Sequence, residues 1–70
     1  MSGDPAKKIG KRIKRLRLDA DLTQVSLAEK AGVEANTVAR LERGEHQAST
    51  PTLQKLAKAL GVKVSDILDY

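Results

Sequence analysis

The chain contains no cysteine, no tryptophan and no phenylalanine, and its one aromatic residue is Tyr70. Without cysteine there is neither a disulfide staple nor a thiolate metal ligand, which leans toward a cytoplasmic setting. The one histidine, His46, has no metal-ligand partners and no orienting acid or nucleophile close by. It reads as a solvated loop residue, so no enzyme activity, metal or cofactor is expected. No apolar run is long enough to cross a bilayer, and the first residues lack the apolar stretch of a signal peptide. No segment carries a strand signal, which leaves an all-α chain. Seventy residues make one domain, stable only if its helices pack efficiently.

Positive charge is what the chain does have. Thirteen Lys and Arg against nine Asp and Glu give a formal charge of +4. Lys7, Lys8, Lys11, Arg12, Lys14, Arg15 and Arg17, seven of those thirteen, fall within one short stretch. Such a balance suits a polyanion partner, although a solvated helix face would look the same. A membrane-surface helix would also carry a basic face, but the apolar side here has no aromatic residue and is needed for the core.

Residues 1–5 read as a flexible lead-in and 6–70 as the domain. Asp4 before Pro5 also suits a helix start, with Asp as cap and Pro in the first turn. The first helix reaches about Asp19 and buries Ile9, Ile13 and Leu16, with Leu18 and Ala20 closing its end. Thr23 is an N-cap for a second helix, although Ser26 is not the acidic partner of a full capping box. A third helix covers about 35–43, with Gly44 as its cap. The loop from Glu45 to Ala48 leads to Ser49, the N-cap of a fourth helix over Thr50–Leu60 that Gly61 ends. Ser65 is expected to cap a last short helix from Asp66 to about Asp69. The core predicted from the apolar spacing is Ile9, Ile13, Leu16, Leu22, Leu27, Val33, Val38, Leu41, Leu53, Leu56, Leu60 and Ile67.

The stretch from Gln24 to Leu41 carries the functional signal. Leu27, Ala28 and Ala31 share one face of a short helix, and Val38 and Leu41 mark the buried face of another. Gly32 breaks the run where the chain must turn. Left outward on the second segment are Ala35, Asn36, Thr37, Ala39, Arg40 and Arg43. Asn and Arg are the side chains best suited to two-point readout of adenine and guanine edges in the major groove. Two short helices about a tight glycine turn with such residues exposed read as a helix-turn-helix. Asn36 and Arg40, four apart, enter a groove together; Ala35 suits a thymine methyl, and Thr37 suits phosphate or base.

Leu22-Thr23-Gln24, Leu27 through Val33, Leu41-Glu42-Arg43-Gly44 and Leu56 through Val62 together resemble the phage repressor/Cro-type, or xenobiotic-response-element-type, helix-turn-helix family. Each fragment alone is weak, but their order and spacing are specific, and the likeness runs from about Ile9 to Leu68. The resemblance implies a compact five-helix, lambda-repressor-like DNA-binding domain. It assigns Gln24 to the DNA backbone or an adjacent base edge, and the N-terminus of the second helix, with Thr23, to phosphate. It also implies an ion pair between Arg17 and Glu42 that locks the first helix to the third and sets Arg17 near the phosphates. Two departures stand out. Glu34 takes the place of a capping Ser or Thr, and Glu45 takes the place of a basic residue in the loop that related sequences use as a phosphate clamp. That leaves Arg43, with Gln47 beside it, as the better phosphate contact.

The expected function is therefore that of a sequence-specific regulator of transcription, a repressor, bound to a near-palindromic duplex operator. It is expected in the cytoplasm of a bacterium or archaeon, or encoded by a phage. The resemblance further implies a homodimer formed through the C-terminal region; the terminal aromatic Tyr70 reads as a dimer contact or as frayed packing. A controller of a restriction–modification locus fits equally well. The competing reading is a protein-interaction module such as an antitoxin, but such a module need not expose Asn36, Thr37 and Arg40 over a basic border.

Overall fold

The computed structural model describes residues 4–68, so the proposed contact at Tyr70 and the expected end of the last helix at Asp69 lie outside the described residues. Five helices and no strand form among the described residues: α1 (Pro5–Asp19), α2 (Gln24–Ala31), α3 (Ala35–Glu42), α4 (Thr50–Leu60) and α5 (Val64–Leu68). Helix α3 packs against both α1 and α2, α4 lies against α2, and α5 bridges α1 and α4.

The helix starts follow the capping chemistry of the sequence. Asp4 Oδ1 accepts from the Ala6 backbone N–H at 2.9 Å, with Pro5 in the first turn. Residues 4 and 5 therefore belong to the start of α1 rather than to a lead-in. At α2 Thr23 Oγ1 accepts from Ser26 N–H at 2.9 Å, and Ser26 Oγ accepts from Thr23 N–H at 2.7 Å. The capping box is thus complete, contrary to expectation, because a serine hydroxyl reaches the same donor that a glutamate would. Ser49 caps α4 by accepting from Thr52 N–H at 3.3 Å.

Helix α5 starts two residues earlier than the expected Asp66. Ser65 lies inside it, and Asp66 Oδ2 reaches back to accept from Lys63 N–H at 2.9 Å. The carboxylate of the third helical residue satisfies a donor ahead of the helix, so a cap at Ser65 is not needed. Helix α3 ends at Glu42, with Arg43 as its cap residue and Gly44 just beyond at φ 74°. Gly32 bends α2 into α3 at φ 73°, where it makes the backbone bonds Gly32 N–H to Glu29 O and Val33 N–H to Ala28 O. That left-handed turn favours a residue without a Cβ. The equivalent position after α1 is taken by Asp21 at φ 59°, the one non-glycine residue with positive φ among the described residues.

Ile13, Leu27, Val38, Leu41, Leu53, Leu56 and Ile67 form the buried core together with Ala28, Ala57 and Ala59. Ile9, Leu16, Leu22, Val33 and Leu60 pack around it half-buried. Leu18 and Ala20, expected to close α1, face solvent instead, Leu18 at 54% exposure. Leu18 sits off the stripe defined by Ile9, Ile13 and Leu16, and Ala20 lies past the last helical residue. Gly10 is buried where α1 crosses the end of α3, and a Cβ there would collide with the carbonyl oxygens of Leu41 and Glu42. The crossing distance is therefore set by a residue with no side chain.

Candidate nucleic-acid interface

The junction of α1, α2 and α3 is closed by a polar network. Arg17 Nε donates to Glu42 Oε2 at 2.6 Å and Nη2 to Oε1 at 3.1 Å, while Nη1 donates to the Leu22 carbonyl at 2.8 Å. The side chains are only 9% and 4% exposed. The hydrogen bond that Arg17 donates to Glu42 raises the Arg17 pKa, burial opposes that rise, and the Glu42 charge adds to it. A charged pair this buried is tolerated because each guanidinium nitrogen and both carboxylate oxygens have partners. Among the described residues no buried side-chain nitrogen or oxygen lacks one.

Arg17 was expected to hold phosphate as well as Glu42. Its three nitrogens all bond to Glu42 and Leu22, and the residue is buried. Gln24 opens α2 and donates from Nε2 to Glu42 Oε1 at 3.0 Å. Its amide nitrogen is thereby anchored by the same carboxylate. Periodicity gives no sign of this link, since it joins residues on different helices.

The outward face of α3 carries Asn36 and Arg40, both exposed, with Thr37 and Ala39 half-buried between them. Being four apart, Asn36 and Arg40 stand on one side of the helix. Ala35 differs from expectation. It is half-buried against the core, because the turn from Gly32 brings the start of α3 down onto α2. Less of its methyl is free for a base than an outward position would give. Glu34 precedes α3 exposed and makes no side-chain cap bond. Thr23 and Gln47 are exposed, Thr23 with its hydroxyl committed to the capping box. Arg43 is exposed and paired with Glu45, Nε to Oε2 at 2.7 Å.

On α1 Lys7, Lys11, Lys14 and Arg15 are exposed, Arg15 with Asp19 at 3.9 Å, whereas Arg12 Nε donates to the Asp66 carbonyl at 2.8 Å and so ties α1 to α5. Lys7 lies with its stem against Gly44. On another side Lys30, Lys55 and Lys58 surround a shallow hollow of about 390 Å³ floored by Ala31 and Ala59. No group of His, Cys, Asp or Glu among the described residues is arranged to hold a metal ion. No helix is long and apolar enough to cross a membrane among those residues.

A solvent-facing α3 propped on α2 by a glycine turn is the arrangement that helix-turn-helix proteins use to enter a groove. The helix-turn-helix family profile matches residues 13–67. An immunity repressor of Bacillus phage phi105 is 45% identical over 60 residues, which cover 86% of this chain and 42% of the repressor. The chain thus spans less than half the length of that relative. An uncharacterized helix-turn-helix transcriptional regulator of Methanocaldococcus jannaschii is 39% identical over 59 residues, covering 84% of this chain and 89% of that protein. Among solved structures, the restriction–modification controller protein from Aeromonas hydrophila superposes with a TM-score of 0.87 at 32% identity. The match covers 89% of this chain and 94% of that one. The chain belongs to the helix-turn-helix family, the Cro/C1-type DNA-binding regulators of transcription.

Proposed function

We propose that this chain represses transcription as a homodimer, with one α3 in each half of a near-palindromic operator, and that it acts by binding rather than by catalysis. The observation that carries the reading is the pair Asn36 and Arg40, exposed on one side of α3 while its other side is locked to α1 through Glu42. A rigidly held helix with two-point donors outward meets what base readout requires. In this reading Asn36 and Arg40 contact base edges, with Thr37, Ala35 and Gln24 at the margin. Thr23 at the start of α2, Arg43 and Gln47 hold phosphates, and the Lys-rich face of α1 adds long-range attraction.

Dimerisation follows from size. Eight residues of α3 are about 12 Å long at ~1.5 Å per residue, enough for only a few base pairs. Two copies reading half-sites about one helical turn apart give a site long enough to be specific. The α5 region, where Leu68 is 43% exposed, is the surface assigned to the partner copy. The setting is the cytoplasm of a bacterial or archaeal cell, where the DNA is.

The test is selection from a random duplex pool at near-physiological salt, followed by sequencing of the enriched sites. A two-fold symmetric consensus supports the reading. Enrichment of nothing, with only weak salt-sensitive binding, would reduce the basic face to general electrostatics and leave the protein-interaction reading in its place.

A further inference from the structure

In the free chain the exposed cation at the end of α3 is already gripped. Arg43 Nε donates to Glu45 Oε2 at 2.7 Å and Nη2 to Oε1 at 3.2 Å. This is the two-point geometry with which a guanidinium takes either a carboxylate or a phosphate. The Glu45 backbone is not free to drift, because its N–H donates to the Arg40 carbonyl at 3.1 Å, beside the Gly44 N–H bond to Leu41. Those two bonds form the left-handed end of α3 and set the acid two residues beyond Arg43. Both side chains are about half exposed, and an ion pair so placed adds little to folding. The charge of Arg40 acts on the Glu45 carboxylate along with that of Arg43, so the acid sits in the field of two cations assigned to DNA.

We propose that Glu45 is an intramolecular stand-in for a DNA phosphate: it holds Arg43 in the free chain, and a backbone phosphodiester of the duplex displaces it. The inference rests on the reading of α3 as the DNA-facing helix. Binding then exchanges one guanidinium partner for another instead of gaining a new one, and it leaves a carboxylate beside the DNA backbone. The penalty is the same for every sequence, because phosphate contacts carry no base information. Glu45 therefore weakens non-specific binding as much as operator binding, lowering overall affinity without changing the preference between sites.

The test is a double-mutant cycle on binding to the selected operator duplex, using the full chain as wild type, Glu45→Gln, Arg43→Ala and both together. Glu45→Gln is expected to tighten binding by about three- to tenfold. In the Arg43→Ala background the same change is expected to gain clearly less, because the stand-in has no cation to release and only its repulsion with the DNA backbone is relieved. An equal gain in both backgrounds would overturn the proposal, since the acid would then act only by general repulsion. An unchanged affinity for Glu45→Gln in the wild-type background would overturn it too. Failure of the wild-type chain to bind any selected duplex is a different result, and it would remove the DNA-interface reading together with this one.

Discussion

Arg17 of α1 and Glu42 of α3, twenty-five residues apart, meet in a buried two-point ion pair with Nε and Oε2 at 2.6 Å. The pair does not supply a free cation for DNA. It fixes how α1 crosses α3 and, through the Glu42 bond from Gln24, how the start of α2 stands beside them. Its role is to set the pose of α3.

Removing one member strands the other as a buried charge, so Arg17→Met or Glu42→Leu alone should destabilise by about 3–5 kcal/mol. A domain this small has a total stability on the order of 5 kcal/mol, and either variant is expected to be largely unfolded when warmed. Arg17→Met with Glu42→Leu should recover much of the loss, because two apolar side chains leave no unpaired charge. Chemical denaturation of the four proteins reads the coupling, and additive losses would show that the pair is not a unit.

Gly10→Ala pits helix propensity against sterics. Alanine gains about 1 kcal/mol within a helix, but its Cβ meets the Leu41 and Glu42 carbonyl oxygens. Backbone atoms cannot swing aside, and overpacking of this kind costs about 1–3 kcal/mol. A net fall in the melting temperature is expected, and a rise would mean that the helices separate freely at this crossing.

Asp21 occupies a left-handed turn at φ 59°, which a β-branched residue resists most. Asp21→Val should destabilise by about 1–2 kcal/mol. Asp21→Gly should leave the melting temperature unchanged or raise it, because the gain in turn geometry offsets the added freedom of the unfolded chain. Thermal melts that rank Val above Gly would contradict this account.

Arg40 and Arg43 should separate base reading from backbone holding. Arg40→Ala is expected to lose about 1–3 kcal/mol on the operator and to relax preference at one position of each half-site. Arg43→Ala should weaken all duplexes alike and flatten the salt dependence. Binding measured over single-position operator variants checks both, and a changed site preference with Arg43→Ala would reverse the roles.

The Arg43–Glu45 pair also makes a pH signature. Arg43 lowers the Glu45 pKa through its hydrogen bond and its charge, and Arg40 adds to the lowering. The stabilisation is therefore present above the unfolded carboxylate pKa and is lost as pH falls through the depressed folded value. On the Arg43 side the pKa is raised, so its contribution disappears only as pH climbs through that value, far into alkali. A carbon-13 titration of the Glu45 carboxyl should have its midpoint below the ordinary range, moving up in Arg43→Ala. A midpoint that ignores Arg43 would show that the pair is not held in solution.

Local chemistry written in the chain was enough for the helix count, for the caps at Asp4, Thr23 and Ser49, and for the turn at Gly32. Such features depend on neighbours a few residues apart, and the 3.6-residue repeat marked most of the core for the same reason. Motif order pointed to the family and, through it, to Arg17 facing Glu42. Only the tertiary structure decided that Arg17 is buried, that Gln24 is tied to Glu42, and that Gly10 is where two helices touch backbone to backbone. It alone turned Leu18 to solvent, lowered Ala35 onto the core and closed Glu45 onto Arg43. Each of these depends on which element lies opposite a side chain in space, and a pattern of apolar spacing along one helix does not contain that information.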